Sequence, residues 1–143
     1  MAESYKIRQA VPTDVEFILK TWGREMRRAY KAMPDRLFYN EFQKIMLALV
    51  SKSHARVICS STDPDFIAGF VVGSWHADAR TMVLHFAYLR PPLRRMGLCR
   101  AALEDMGYVW KEEIVATFWH PYLSRFGLGF LTYHPFLVFK LEP

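Results

Sequence analysis

The stretch TMVLHFAYLRPPLRRMGLCRAALEDMG, from Thr81 to Gly107, decides how the chain is read. It opens as an alternating apolar strand over Met82 to Leu89, breaks at Pro91-Pro92 and turns through a basic, glycine-containing loop into a helix over about Arg94 to Met106. Gly107 stands where a left-handed residue ends helices. A strand feeding a loop whose amides open a helix makes an anion site, because the first helical N–H groups have no partner within the helix.

Working outward, 143 residues suit one domain, 1–143, large enough to bury a core without disulfides or metal. The apolar share of 52% argues against long disordered segments. No apolar run approaches the roughly 20 residues of a membrane helix, and Met1 to Gln9 lacks the apolar core of a secretory signal. Cys59 and Cys99 are too few for a disulfide framework and have no metal-ligand spacing. His54, His76, His120 and His134 show no paired spacing either, so no metal is expected. The expectation is a soluble protein of a reducing cytoplasm. A net charge of +5 permits contact with phosphates. Part of the excess is Arg24, Arg27, Arg28 and Lys31, which read as the solvated face of a helix.

Tyr5 to Ala10 reads as a first strand. Thr13 to Glu16 has the form of a capping box, Thr at the cap and Glu three residues on. The helix after it carries Val15, Ile18, Leu19, Trp22 and Met26 on one stripe, weakened at Gly23. Met33-Pro34 breaks it. A second helix follows with Phe38, Phe42, Ile45, Met46 and Leu49. Beyond Arg56 the period changes to two: strands at Val57 to Ser60 and Phe66 to Trp75 form a hairpin, and Met82 to Leu89 is a third antiparallel strand. Ile114 to Trp119 is a further strand. His120 to Gly129 is a short helix or loop, and Phe130 to Leu141 a closing strand or strand pair interrupted at Pro135. The fold class is α/β (α+β), in the order β-α-α-β-β-β-α-β-(short α)-β.

This order, with Arg94-Arg95-Met96-Gly97-Leu98-Cys99 after the strand, resembles the GNAT (Gcn5-related N-acetyltransferase) superfamily, whose diagnostic loop is [Gln or Arg]-x-x-Gly-x-[Gly or Ala]. The resemblance implies a mixed, mostly antiparallel central sheet flanked by helices. It also implies acetyl-CoA, or another acyl-CoA, with its pyrophosphate on the amides of Arg94, Arg95, Met96, Gly97, Leu98, Cys99 and Arg100. The cofactor would pair with the strand end from Phe86 to Leu89, where a backbone N–H near Tyr88 or Leu89 would polarise the thioester carbonyl. Tyr133-His134-Pro135-Phe136-Leu137-Val138-Phe139 is similar to the ending of short GNAT-like proteins of bacterial viruses, which adds a phage or host complex, or the virion, as settings.

The chain departs from the family pattern in three places. Cys99 replaces the last small residue of the loop, where its side chain either crowds a pyrophosphate or is tolerated. The place of the usual carboxylate base is near Val83, which cannot serve. No tyrosine directly precedes Gly129-Phe130, and the nearest hydroxyl is Tyr122. His85 is the candidate general base, with a pKa near 6.5 suited to an ammonium proton, or else a hydrogen-bonded core or surface histidine. Tyr122 is the candidate acid, or packs beside Trp119. Cys99, at a helix start among arginines, is a nucleophile or a packing residue. Two functions stand open. One is an N-acyltransferase acting on a small-molecule or protein amine by direct attack. The other is a catalytically silent GNAT-fold binding or structural protein. No nucleic-acid-binding motif is present, and neither nucleic acid nor membrane is expected as a partner.

Overall fold

A computed structural model describes residues 4–52, 54–75, 81–94, 96–109, 112–118 and 131–133. The described strands are β1 (Tyr5–Gln9), β2 (His54–Ser60), β3 (Ile67–Trp75), β4 (Met82–Leu89), β5 (Ile114–Ala116) and β6 (Leu131–Tyr133). The helices are α1 (Val15–Ala29), α2 (Asp35–Leu37), α3 (Gln43–Lys52) and α4 (Leu98–Asp105). The strands form one sheet in the order β1-β2-β3-β4-β5-β6. Pairing is antiparallel from β1 to β4 and parallel from β4 to β5 and β5 to β6.

The sheet has an apolar layer on each face. On one, α4 packs Ala102, Leu103 and Met106 against Ile58, Val71, Leu84 and Leu89. On the other, α1 and α3 bring Ile18, Trp22, Met26, Met46 and Leu49 onto Val57, Phe70, Val72 and Phe86. Trp22 lies stacked on Phe86, ring centroids 5.4 Å apart. These are the stripes the helical periods predict, and they place α1 across the middle of the sheet.

Three local features differ from the sequence-based expectation. The start of α1 is not capped by Thr13 and Glu16. A 3-10 turn, Pro12–Asp14, precedes the helix, and the Asp14 carboxylate accepts the Val11 N–H at 2.8 Å. Asp14 is chosen because Arg8, on β1, donates two hydrogen bonds to it at 2.7 and 3.1 Å, and Glu16 instead pairs with Lys20. The helix after Pro34 runs as α2, a π-helical segment Phe38–Phe42, and α3. The extra residue in that turn sets the Phe38 and Phe42 rings in a stack 5.3 Å apart. Arg27 is not a solvated cation. It donates to the Tyr30 and Met33 carbonyls, pairs with the Asp35 carboxylate and lies over the Phe38 ring, so it staples the α1–α2 connection.

The Arg8 guanidinium holds the buried Asp14 carboxyl below its ordinary pKa. The native state therefore binds the Asp14 proton less tightly than the unfolded chain. This stabilisation is complete above about pH 4 and is lost as pH falls through the native value. Arg8→Ala strands the carboxylate and should cost about 2–3 kcal/mol at pH 7. Urea midpoints at pH 7 measure it, and an unchanged midpoint contradicts the assignment.

Candidate active site

The site begins at a bulge in β4. Val72 pairs with Phe86 and Gly73 with Leu84, so His85 is one residue too many for the ladder. Past the bulge, Arg90 donates its N–H to the Ala68 carbonyl at 2.9 Å. Antiparallel pairs alternate, so Tyr88 and Phe86 also turn their backbone groups to β3, while Ala87 and Leu89 turn theirs the other way. Of the two residues the sequence reading named for polarising a carbonyl, Leu89 has the suitable orientation. Tyr88 instead places its ring 5.9 Å from Phe70.

On that other side β5 pairs with β4 only from Met82 to Leu84. The Thr117 N–H closes the ladder on the Leu84 carbonyl at 3.1 Å. Phe118 then sits against Trp22 and Phe42, on the α1 face. Among the described residues the β4–β5 pairing therefore stops short of Ala87 and Leu89, and the chain bends at residues 117 and 118.

After β4 the chain makes a 3-10 turn, Pro91–Leu93, and α4 starts at Leu98 rather than Arg94. The delay comes from Gly97, which sits at φ 75° and ψ 12°, a left-handed conformation that side chains resist. The first helical bond is Ala101 N–H to Gly97 carbonyl, 3.0 Å, and no side chain among the described residues caps the helix. The amides of Leu98, Cys99 and Arg100 lie before that ladder begins. A Cβ built on Gly97 would have no heavy atom within 4 Å. At its other end α4 closes on Gly107, at φ 101°, with Tyr108 N–H bonded to Leu103 carbonyl and Gly107 N–H to Glu104 carbonyl.

The loop's side chains divide. Arg94 donates its Nε–H to the Leu89 carbonyl at 2.9 Å, tying the loop to the end of β4. Arg100 pairs with Glu104 at 2.7 Å. Met96 is 55% exposed. Leu98 packs against the α4-side core, and Cys99 is buried within it. Arg95 and Tyr122 lie outside the described residues, as do Trp119, residues 120–130 and residues 134–143. Because the Cys99 side chain points into the core, it does not crowd the amides of its own loop. Burial pushes its thiol up to about 12, against the Arg94 charge that would lower it, so a thiolate nucleophile is not formed there near neutral pH.

His85 is 1% exposed. Its Nδ1 is 2.7 Å from the Thr117 hydroxyl and its Nε2 is 3.2 Å from the Ser74 hydroxyl. Burial lowers its pKa to about 4. These are the surroundings of a neutral histidine bonded into the sheet. Ser74 and Thr117 were not singled out by sequence reasoning, since one lies on β3 and the other just past β5, and no local spacing joins them. Glu25 was also missed. It is a carboxylate 6% exposed on α1, 3.6 Å from Arg28 and 3.9 Å from Arg24. The signal was present in its position three residues after Trp22, on the flank of the buried stripe.

Among the described residues no group of three His, Cys, Asp or Glu side chains is placed to hold a metal ion. No described helix is long and apolar enough to cross a membrane.

The mixed sheet, with the loop and helix that follow its fourth strand, is similar in overall arrangement to solved structures. A candidate acetyl transferase of Pyrococcus furiosus superposes with a TM-score of 0.60, at 16% identity over 86% of this chain and 89% of that one. A candidate acetyltransferase of Clostridium difficile 630 gives 0.53, at 15% identity over 92% and 80%. The aminoglycoside N-acetyltransferase AAC(6′)-Iy, solved with the bisubstrate analogue CoA-S-monomethyl-acetylneamine, gives 0.47 at 15% identity over 85% and 84%, too weak a likeness to carry its ligand across. No protein-family model matches the chain, and no curated protein does. The chain has the GNAT acetyltransferase fold, as the element order and the Arg94–Cys99 loop led us to expect.

Proposed function

We propose that the protein binds an acyl-CoA and acts as an N-acyltransferase, passing an acetyl group to a small-molecule or protein amine. One observation carries this reading: among the described residues the β4–β5 pairing stops short of Ala87 and Leu89, and the chain after β4 opens α4 through a left-handed Gly97 without a side-chain cap. A helix N-terminus carries about half a positive charge. The bare Cα of Gly97 leaves its surroundings open, so the Leu98 to Arg100 amides fit a pyrophosphate. The bound thioester supplies an activated acyl carbon. The Leu89 N–H would polarise its carbonyl. Attack by the amine would form the C–N bond and release the thiolate of CoA. The ammonium proton would pass to His85 or a water it orders, and Tyr122 would protonate the thiolate.

Titration calorimetry with acetyl-CoA tests the binding. The wild type should bind, and Gly97→Asp should weaken binding by at least about tenfold, because it adds an anion and a strained φ at the phosphate site. No binding by the wild type overturns the proposal.

A second reading, a GNAT-fold protein that does not acetylate, is favoured by His85 itself. A histidine bonded on both nitrogens with a pKa of about 4 is a weak base at pH 7. In that reading the protein serves as a binding or structural component, in a phage or host complex. Acetyl-CoA binding without thiol release toward any of a panel of primary amines selects this reading, and turnover selects the first.

A further inference from the structure

We propose that the groove between α1 and the π-helical segment Phe38–Phe42 with the start of α3 docks an acidic amphipathic helix of a protein partner. The groove has a volume of about 620 Å³ and continues into a second depression of about 230 Å³ that shares Leu19, Lys20 and Gln43 with it. Its floor is apolar, made by Leu19, Gly23 and Phe38. Its rim carries Lys20, Arg24 and Lys31, and no carboxylate lines it. Tyr39, 54% exposed, stands at one side, and Leu47, 49% exposed, at the far end.

Charge and shape together select the occupant. Lys20 and Arg24 lie about one helical turn apart on α1, roughly 6 Å, and Lys31 follows two residues past the end of the helix. Lys20 meets Glu16 in a solvent-exposed pair, Arg24 reaches Glu25 no closer than 3.9 Å, and Arg27, deeper in the groove, is bound to Asp35. The rim therefore presents positive charge to solvent beside apolar surface. Gly23 sharpens the argument. A Cβ there would meet one atom, Met46 Cε, at an ordinary 3.7 Å. The packing of α1 on α3 thus does not demand glycine, although glycine weakens a helix relative to alanine. What glycine does provide is a floor low enough for a third helix to lie at close interaxial distance. An acidic helix with an apolar stripe complements both layers. A nucleic acid fits less well, since Phe38 is buried and Tyr39 is left as the one exposed ring lining the groove on which a base could stack.

The probe is a fluorescein-labelled, end-blocked peptide of about 14 residues with leucines at i, i+3, i+4 and i+7 and glutamates elsewhere. Its anisotropy is followed at low salt in the absence of any CoA, so the result is independent of acyl-CoA binding. The expected result is binding at least about tenfold tighter than for a scrambled peptide of the same composition, weakened at least about tenfold by Arg24→Glu with Lys31→Glu. Gly23→Leu, which fills the floor, should have the same effect, with circular dichroism confirming the fold of each variant. Equal binding of the scramble, binding indifferent to these variants, or tighter and equally variant-sensitive binding of a labelled oligothymidylate overturns the proposal, the last by assigning the groove to nucleic acid.

Discussion

Gly69→Ala should cost the protein at least about 3 kcal/mol and is expected to leave little folded material at 37 °C. A Cβ at Gly69 would lie 2.3 Å from the Tyr88 carbonyl oxygen, 2.8 Å from Leu89 Cδ1 and 3.0 Å from Leu89 Cα. Two of the three are backbone atoms of the central strand, which cannot swing aside as a flexible side chain does. The residue sits in β3 opposite Leu89, so the methyl would force β3 and β4 apart. It would do so at the end of β4 that carries the Arg94–Arg100 loop. Gly23→Ala is the internal control: the added methyl meets Met46 Cε at 3.7 Å and should stabilise α1 by up to about 1 kcal/mol. Urea denaturation of both variants measures the contrast, and a Gly69→Ala protein as stable as wild type would show that the strands are not in this register.

The second large effect is a dependence of stability on pH through His85. Its native pKa of about 4 lies below the value of about 6.5 it has in an unfolded chain. Between these values the unfolded chain takes up a proton that the native state refuses. The stabilisation is complete above about pH 6.5, declines as pH falls, and is exhausted near pH 4. The loss from pH 7 to pH 5 should be about 2 kcal/mol. His85→Gln removes the titration and keeps a polar group that can reach the Ser74 and Thr117 hydroxyls. Its stability should be lower than wild type at pH 7 and nearly flat down to pH 5. A wild-type slope that persists in His85→Gln would assign the effect to another group. The same variant bears on function, because a silent His85 predicts that acetyl-CoA affinity is unchanged by Gln.

Much of the fold was legible because its signals are local. Alternation over Met82 to Leu89 marks a strand wherever that strand is placed, and Ile18, Trp22 and Met26 form one helical stripe by spacing alone. The loop and the end of α4 were legible in their backbone. Gly97 and Gly107 each occupy a positive φ that the loop and the helix end require, and that requirement is written in residue type. What was not legible depended on which side chains the folded backbone brings within hydrogen-bonding reach, even between residues a few positions apart. The Thr13–Glu16 motif was a sound cap by spacing, and it lost to Asp14 because Arg8 of β1 lies beside it. The Arg94 and Arg100 side chains likewise bond to the Leu89 carbonyl and to Glu104, which spacing alone did not name.

The sequence by itself determined the strand, the loop and the helix from Thr81 to Gly107, since alternation, proline and glycine act through torsions within a few residues. Tertiary structure decided what the side chains in that stretch can do. A one-residue bulge opposite Val72 and Gly73 delivers His85 to Ser74 and to Thr117, 11 and 32 residues away. The fit of α4 on the sheet buries Cys99. Desolvation and hydrogen bonding act through space, so the acidity of both groups was set by neighbours brought near only when the sheet formed.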